Sequence, residues 1–401
     1  MSDFTQPMHQ VVKVAFAQLM MQMQNKDVAI PYLQGDPGIG KTQICLSECL
    51  KRNMNMLHIH FGLIPVEEIS GIPLPKDVRF NETDVKGTVW TIPEILSKTY
   101  ELANDKDKNG NLKPVIIFID DVHLCSPSHM ALMFEMFTEK SLRGFPFPKN
   151  SSFILAGNSS SKAGAKSMFS AIINRCARYS VGPDFEYWKS NYALKHGVNK
   201  KVLAFLSNPR YQDKYFIGEE MINTPWPSPR AWTRLGNLLN EMEAAKLKID
   251  TNDISYYTEA HVGGESAADF SAFYNFYSKT EIDAVFDKTK KIEIPEDNSG
   301  KYIYGISTVN EYSGRIFKAE KDKKKIQECV DTFSDIIIKI SESASEIGFA
   351  MMKELILIEG SLNKDMYYGL IKSAMRTKNP MIESKITSDV ISSSPAERRE
   401  G

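Results

Sequence analysis

The chain has 401 residues, enough for two or three domains of ordinary size. Apolar residues make up 42% and charged residues 25%, with a formal net charge of −1, so bulk charge directs it neither to nucleic acid nor to an anionic membrane. No run of about 18 apolar residues occurs, and the opening MSDFTQPMHQ lacks a basic stretch ahead of an apolar core, so neither a membrane-spanning helix nor a secretory leader is expected.

Val11, Val12, Ala15, Leu19, Met20 and Met23 recur at helical spacing and predict an opening helix. The apolar run Ile30–Gln34 then reads as a strand, followed by Gly35-Asp36-Pro37-Gly38-Ile39-Gly40-Lys41-Thr42, which matches the phosphate-binding pattern G-x-x-x-x-G-K-[ST] without departure. Glycines let such a loop curl so that its N–H groups point at phosphate oxygens, and the N-terminus of the next helix adds partial positive charge. Lys41 is placed to reach the β- and γ-phosphates of a nucleotide, Thr42 to offer a hydroxyl to Mg²⁺, and Gln43 lies next on the helix predicted over Lys41–Arg52. That helix carries Cys45 and Cys49 on one face. Although His58 and His60 follow, the spacing is not that of a zinc finger, and the cysteines read as packing. The five cysteines, Cys45, Cys49, Cys125, Cys176 and Cys329, are odd in number and scattered, the usage expected in a reducing cytoplasm.

A second strand is predicted at Met56–Phe61. After it, Gly71-Ile-Pro-Leu-Pro cannot continue a helix and predicts a loop or hairpin. Asp105-Lys-Asp107-Lys-Asn109-Gly110 imitates the opening of a calcium loop, but its twelfth position is Ile116, so a solvated turn is expected. Val115–Ile119 reads as a buried parallel strand, and its carboxyl end is where open α/β sheets place ligands. Asp120 there becomes a candidate Mg²⁺ carboxylate, and Asp121 the candidate general base toward an attacking water. His123 lies close by and reads as packing. A helix over Ser128–Lys140 and strands at Ser152–Ala156 and Ala177–Val181 complete five strands alternating with helices, a pattern that implies a parallel sheet covered on both faces.

Beyond Gly182-Pro183 the strand signal fades. Ile326, Cys329, Val330, Phe333, Ile336, Ile337 and Ile340 keep helical spacing over four turns, as a core-packing helix or, alternatively, a partner-binding face. The Pro-rich stretch Thr224–Pro229 reads as a rigid connector. Trp188, Trp226 and Trp232, near basic residues, either pack a helical domain or stack on single-stranded nucleic acid. Lys318–Lys325 (KAEKDKKK) reads as a solvated helix start or loop. The expected division is an α/β domain over 1–182, a helical lid over 183–280, a helical extension over 281–386 and a disordered tail over 387–401.

Together these motifs resemble the AAA+ superfamily, and within it the MoxR-like branch close to the dynein-related group. The resemblance covers residues 8–182 well, the lid moderately and the rest weakly. It implies a P-loop fold with a five-stranded parallel sheet in the order 5-1-4-3-2, binding and hydrolysing ATP with Mg²⁺ at the subunit interfaces of a homo-oligomeric, usually hexameric, ring. Ser152–Asn158 resembles the fourth strand ending in a sensor residue, which implies that Asn158 orients the lytic water. Ala171–Arg175 resembles the stretch whose arginine reaches a neighbouring subunit's γ-phosphate, implying Arg175 first and Arg178 second; either could instead form a surface pair. Ser228-Pro229-Arg230-Ala231 resembles the sensor 2 motif at the start of a lid helix, implying that Arg230 touches the same phosphate. Val66–Pro75 resembles a segment that lines the ring's central face.

The role implied is chaperone-like remodelling of a protein partner, such as a separate polypeptide with a von Willebrand factor A domain. Two alternatives stay open. One is a nucleic-acid-directed motor resembling the McrB restriction subunit, which acts on DNA and uses GTP. The other is a nucleotide-gated scaffold with little hydrolysis, kept open because relatives often carry Glu where this chain has Asp121.

Overall fold

The structure is a computed structural model of the full chain, and it describes residues 6–24, 27–158, 169–216, 224–279, 286, 294–296, 298–319 and 322–357. The expected tail over 387–401 and the last part of the expected extension lie outside these residues. The chain divides into two compact units, residues 1–184 and 185–401. Among the described residues, no helix is long and apolar enough to cross a membrane.

The first unit is an α/β layer structure. Its strands are β1 (Gln6–Pro7), β2 (Ile30–Gln34), β3 (Asn55–His60), β4 (Pro73–Phe80), β5 (Thr83–Trp90), β6 (Val115–Asp120), β7 (Ser141–Leu142), β8 (Phe145–Pro146), β9 (Ser151–Gly157) and β10 (Cys176–Gly182). Its helices are α1 (Met8–Met23), α2 (Lys41–Lys51), α3 (Val66–Ser70), α4 (Glu94–Ala103), α5 (Pro127–Glu139) and α6 (Ser170–Ile173). Six strands form the main sheet in the order β1-β10-β2-β9-β6-β3, all paired in parallel. The five strands expected from the sequence lie in the expected order. The sixth, β1, adds only two residues beside β10 and is too short to carry a periodicity.

Every residue of β6, an interior strand between β9 and β3, is buried, as a continuous apolar run in a covered parallel sheet requires. Helix α1 is fixed to the sheet by an amide clamp: Gln22 Oε1 accepts from the Phe153 N–H at 3.1 Å, and Gln22 Nε2 donates to the Phe153 carbonyl at 3.3 Å. Cys45 and Cys49 are buried on α2, and burial pushes both thiols up, Cys49 to about 12. All five cysteines are free.

The Gly71–Pro75 stretch leads into a hairpin. Strands β4 and β5 pair antiparallel over eight residues each, joined at Asn81-Glu82, both of which have positive φ (47° and 64°) as a two-residue primed turn demands. Gly71 enters it at φ 78°, where an added Cβ would lie 2.4 Å from the Thr91 carbonyl oxygen. The calcium-like stretch is a turn in which Asp107 accepts the Asn109 and Asn111 amides.

The second unit has no strand among its described residues, and its α-helices are α7 (Phe185–Trp188), α8 (Lys200–Leu206), α9 (Pro209–Tyr215), α10 (Pro229–Ala244), α11 (Thr251–Val262), α12 (Gly264–Lys279), α13 (Asn298–Ala319), α14 (Lys323–Ser343) and α15 (Ser345–Leu357). One apolar cluster runs through it. Trp232 is wholly buried against Phe205 and Phe270 and donates its indole N–H to the Tyr215 carbonyl at 2.7 Å. Trp188 is also buried in this core. On α14, Phe333, Ile336, Ile337 and Ile340 are buried at the predicted spacing, so that stripe faces core. Asp322 caps the same helix by accepting the Lys324 and Lys325 amides, so Lys323–Lys325 of the basic run open a helix, while Lys318 and Ala319 end α13.

Candidate functional site

The Gly35–Thr42 loop, which matches the phosphate-binding pattern, leaves the carboxyl end of β2 and enters α2. Gly35 donates its N–H to the Gly157 carbonyl at 3.2 Å, and a Cβ on it would sit 2.2 Å from the Val181 carbonyl oxygen. The loop's first residue is therefore wedged between the ends of β9 and β10, where only glycine fits. Gly38 and Gly40 have φ of 83° and 99°, the left-handed turns that aim successive amides inward. Lys41 opens α2, is buried, and donates through Nζ to the carbonyls of Gly35 (2.8 Å) and Asp36 (3.0 Å). Asp36, Pro37 and Gly38 are half-buried, Ile39 is buried, and Gln43 is exposed.

Asp120, at the end of β6, comes to the same place. Its Oδ2 accepts from the Thr42 hydroxyl at 2.9 Å and from His58 Nε2 at 3.1 Å, while its Oδ1 accepts the Asp121 N–H at 2.9 Å. Burial works to raise the Asp120 carboxyl, but the hydrogen bonds from His58, Thr42 and the Asp121 amide outweigh it and hold the group below its ordinary value. This favours the ionised carboxylate. Asp121 adopts left-handed backbone geometry (φ 58°, ψ 32°), and its Oδ2 lies 2.8 Å from His60 Nδ1.

Asn158 follows β9, which lies between β2 and β6. Gly157 is registered with Gln34, so Asn158 emerges at the carboxyl edge between the phosphate loop and Asp120. Its main-chain N–H donates to His123 Nδ1 at 3.2 Å, and its side-chain amide lies 3.2 Å from His123 Nε2. His123, read from sequence as packing, is thus the group that holds Asn158.

Arg175 precedes β10, at the opposite edge of the sheet: its carbonyl accepts the Ile30 N–H at the start of β2. Its guanidinium donates to the Ala171 carbonyl at 2.8 Å and lies 4.5 Å over the Phe134 ring. Arg178 instead donates to Gln34 Oε1 at 2.6 Å, within the sheet of its own chain. Arg230 is exposed in the first turn of α10, with Pro229 ahead of it and Ser228 capping the Ala231 amide, and it belongs to the second unit.

No protein-family model matches the chain, and no curated protein matches it. Among solved structures, a RuvB mutant from Thermotoga maritima is similar with a TM-score of 0.35 and 10% identity, over 69% of this chain and 75% of that one. The Thermotoga maritima RuvB Holliday junction branch migration motor gives 0.33 and 11%, over 70% and 76%. A DNA polymerase III gamma subunit-related protein from the same organism gives 0.31 and 11%, over 93% and 99%. Likeness at this level leaves function to be argued from the chain's own residues.

Sequence reasoning did not connect His58 and His60 with the aspartates. Both histidines were visible, two residues apart at the end of a predicted strand, and period-two alternation was the signal that they share a face. What that signal lacks is the neighbour: the register of β3 on β6, which sets His60 beside Asp120, is a property of the folded sheet.

Proposed function

We propose that this chain is an AAA+ ATPase that binds ATP with Mg²⁺ at the Gly35–Thr42 loop, hydrolyses it within a homo-oligomeric ring, and uses the cycle to remodel a protein partner. The observation that carries the reading is the convergence of Lys41, Thr42 and Asp120 at one edge of the sheet, with the threonine hydroxyl on the carboxylate at 2.9 Å. A hydroxyl and an ionised carboxylate side by side suit a hard cation, so Thr42 and Asp120 fit Mg²⁺, which when bound neutralises charge on the transferring phosphoryl group.

In this reading the loop amides cradle the phosphates, and Lys41 exchanges its two loop carbonyls for β- and γ-phosphate oxygens. Asp121 takes a proton from the attacking water, and Asn158, steadied by His123, orients that water. Arg175 starts at the sheet edge away from the phosphate loop of its own chain, so it would serve a phosphate held by another copy. The Arg178 side chain is already engaged on Gln34, which favours Arg175. Arg230 is assigned to the same phosphate as a sensor in the lid. The β4–β5 hairpin, with Leu74, Val85 and Val89 exposed, is the candidate partner-facing element. A separate von Willebrand factor A-domain protein is one such partner. The five free cysteines suit a reducing cytoplasm.

A second reading is favoured by Asp121. Its carboxylate is held on His60 at 2.8 Å and is a methylene shorter than glutamate, which suits a scaffold that binds ATP and assembles but hydrolyses slowly.

The test is steady-state ATPase activity against protein concentration for the wild type, Lys41→Ala and Arg175→Ala. Specific activity that climbs with concentration and collapses in both variants supports the shared-site ATPase. Concentration-independent turnover that survives Arg175→Ala sinks the ring mechanism. Nucleotide binding without turnover moves the scaffold reading to first place.

A further inference from the structure

Strand β3 ends with histidines at positions i and i+2, which the pleat turns to the same face. Parallel register with β6 places His60 beside Asp120 and His58 beside Phe118. On that face the two imidazole centroids are 4.4 Å apart, and the edge of Phe118 backs His58 at 5.4 Å. One ligand atom from each of His58, His60 and Asp120 lies within 4.8 Å of the other two.

We propose that His58, His60 and Asp120 form a binding site for a borderline divalent cation, Zn²⁺ or one of similar chemistry, at the rim of the nucleotide site. The donor set decides the class of cation. Imidazole nitrogens suit Zn²⁺ and its transition-metal neighbours, whereas Mg²⁺ takes oxygen ligands and keeps its waters. Zinc–ligand bonds of about 2.0–2.2 Å put tetrahedral ligands roughly 3.4 Å apart. The separation of 3.1 Å between His58 Nε2 and Asp120 Oδ2 is already near that value. The wider pairs close by rotation of the histidines, whose side chains are 31% and 52% exposed and so have room to turn. The same exposure gives a cation an entry path and leaves the fourth position to water, as in an open zinc site. His60 also carries a hydrogen-bonded carboxylate, Asp121, the kind of partner that orients a ligating imidazole.

The alternative explanation is that each histidine does no more than pair with its aspartate, His58 with Asp120 and His60 with Asp121. That arrangement needs no cation and accounts for two contacts. It does not account for the convergence of one ligand atom from each of His58, His60 and Asp120 within 4.8 Å, which is what a cation site requires.

The site has a consequence for nucleotide use. Asp120 Oδ2, the oxygen a transition metal would take, is the one that accepts from Thr42. A bound Zn²⁺ therefore competes with the Mg²⁺ role assigned to Asp120, and excess Mg²⁺ should weaken Zn²⁺ binding only when nucleotide is present.

The experiment titrates Zn²⁺ calorimetrically, and Co²⁺ by its visible absorption, into the full chain stripped with chelator and free of nucleotide. The expected result is one equivalent per chain for the wild type, with imidazole-type Co²⁺ bands. Binding should weaken by at least about 100-fold in His58→Ala/His60→Ala, and by roughly tenfold in Asp121→Asn. Circular dichroism of the double variant checks that the fold is kept, and the exposed positions of both histidines make loss of fold an unexpected outcome. Unchanged stoichiometry and affinity in the double variant, or no wild-type binding, overturns the proposal. Since no nucleotide is present, the result is independent of whether the chain hydrolyses ATP; Lys41→Ala should bind Zn²⁺ as the wild type does.

Discussion

Thr42 and Asp120, 78 positions apart in the chain, are joined by a hydrogen bond of 2.9 Å from the threonine hydroxyl to a carboxylate oxygen. The contact links the helix after the Gly35–Thr42 loop to the end of β6. It separates two substitutions at one position. Thr42→Ser keeps the hydroxyl and should keep ATP turnover within a few-fold of wild type. Thr42→Ala should raise the Mg²⁺ concentration needed for half-maximal turnover by tenfold or more. Mg²⁺ titrations of the ATPase rate check this, and equal Mg²⁺ dependence in both variants would count against the cation assignment.

Gly35→Ala places a Cβ 2.2 Å from the Val181 carbonyl oxygen, a backbone atom that cannot swing aside. The first unit should lose about 1–3 kcal/mol, the usual cost of overpacking, seen as an earlier urea midpoint. Gly40→Ala meets no such neighbour, and its penalty comes from φ 99° alone. The ordering of the two variants, Gly35→Ala below Gly40→Ala, is what the measurement decides.

The pH dependence has a definite sign. The Asp120 carboxyl is held below its ordinary value of 3.8, so its contribution to stability is fully present above that value. That contribution is lost as pH falls through the lower, folded-state value. Urea midpoints of wild type and Asp120→Asn should diverge least at the acid end and most from about pH 5 upward. Curves that stay parallel across the range would refute the claim.

Cys45, Cys49 and Cys125 are buried, and burial pushes Cys49 and the half-buried Cys176 up to about 12. Native protein at neutral pH should therefore alkylate slowly at all four, with rapid labelling only after denaturation. Mass spectrometry after timed alkylation reads this residue by residue. Fast native labelling of Cys45 would mean that α2 opens from the sheet.

Most of the sheet was legible because its strands are apolar runs between helical stretches, and β6 shows why: a strand buried on both faces has no polar alternation to obscure it. The phosphate loop was legible because its glycines are demanded by backbone geometry at Gly35, Gly38 and Gly40. Of the β4–β5 hairpin only the entry, Gly71–Pro75, was foreseen as a loop or hairpin; the strands beyond it were not, since their residues are exposed and interleave Lys76, Asp77 and Lys86 with Val78 and Val85. The histidine contacts of the site were not legible. His60 meets Asp121 and His123 meets Asn158 through register and a turn, and neither partner is near in sequence.

Strand β10 begins directly after Arg175 and, near its end, sets the Val181 carbonyl against Gly35. Its seven residues span roughly 20 Å. In the proposed ring, a phosphate that engages Arg175 would thus be joined through a single strand to the neighbourhood of Gly35. On that proposed reading, one strand carries the state of a neighbour's site to the loop of its own, and amide exchange at Gly35 that differs between wild type and Arg175→Ala would show the link.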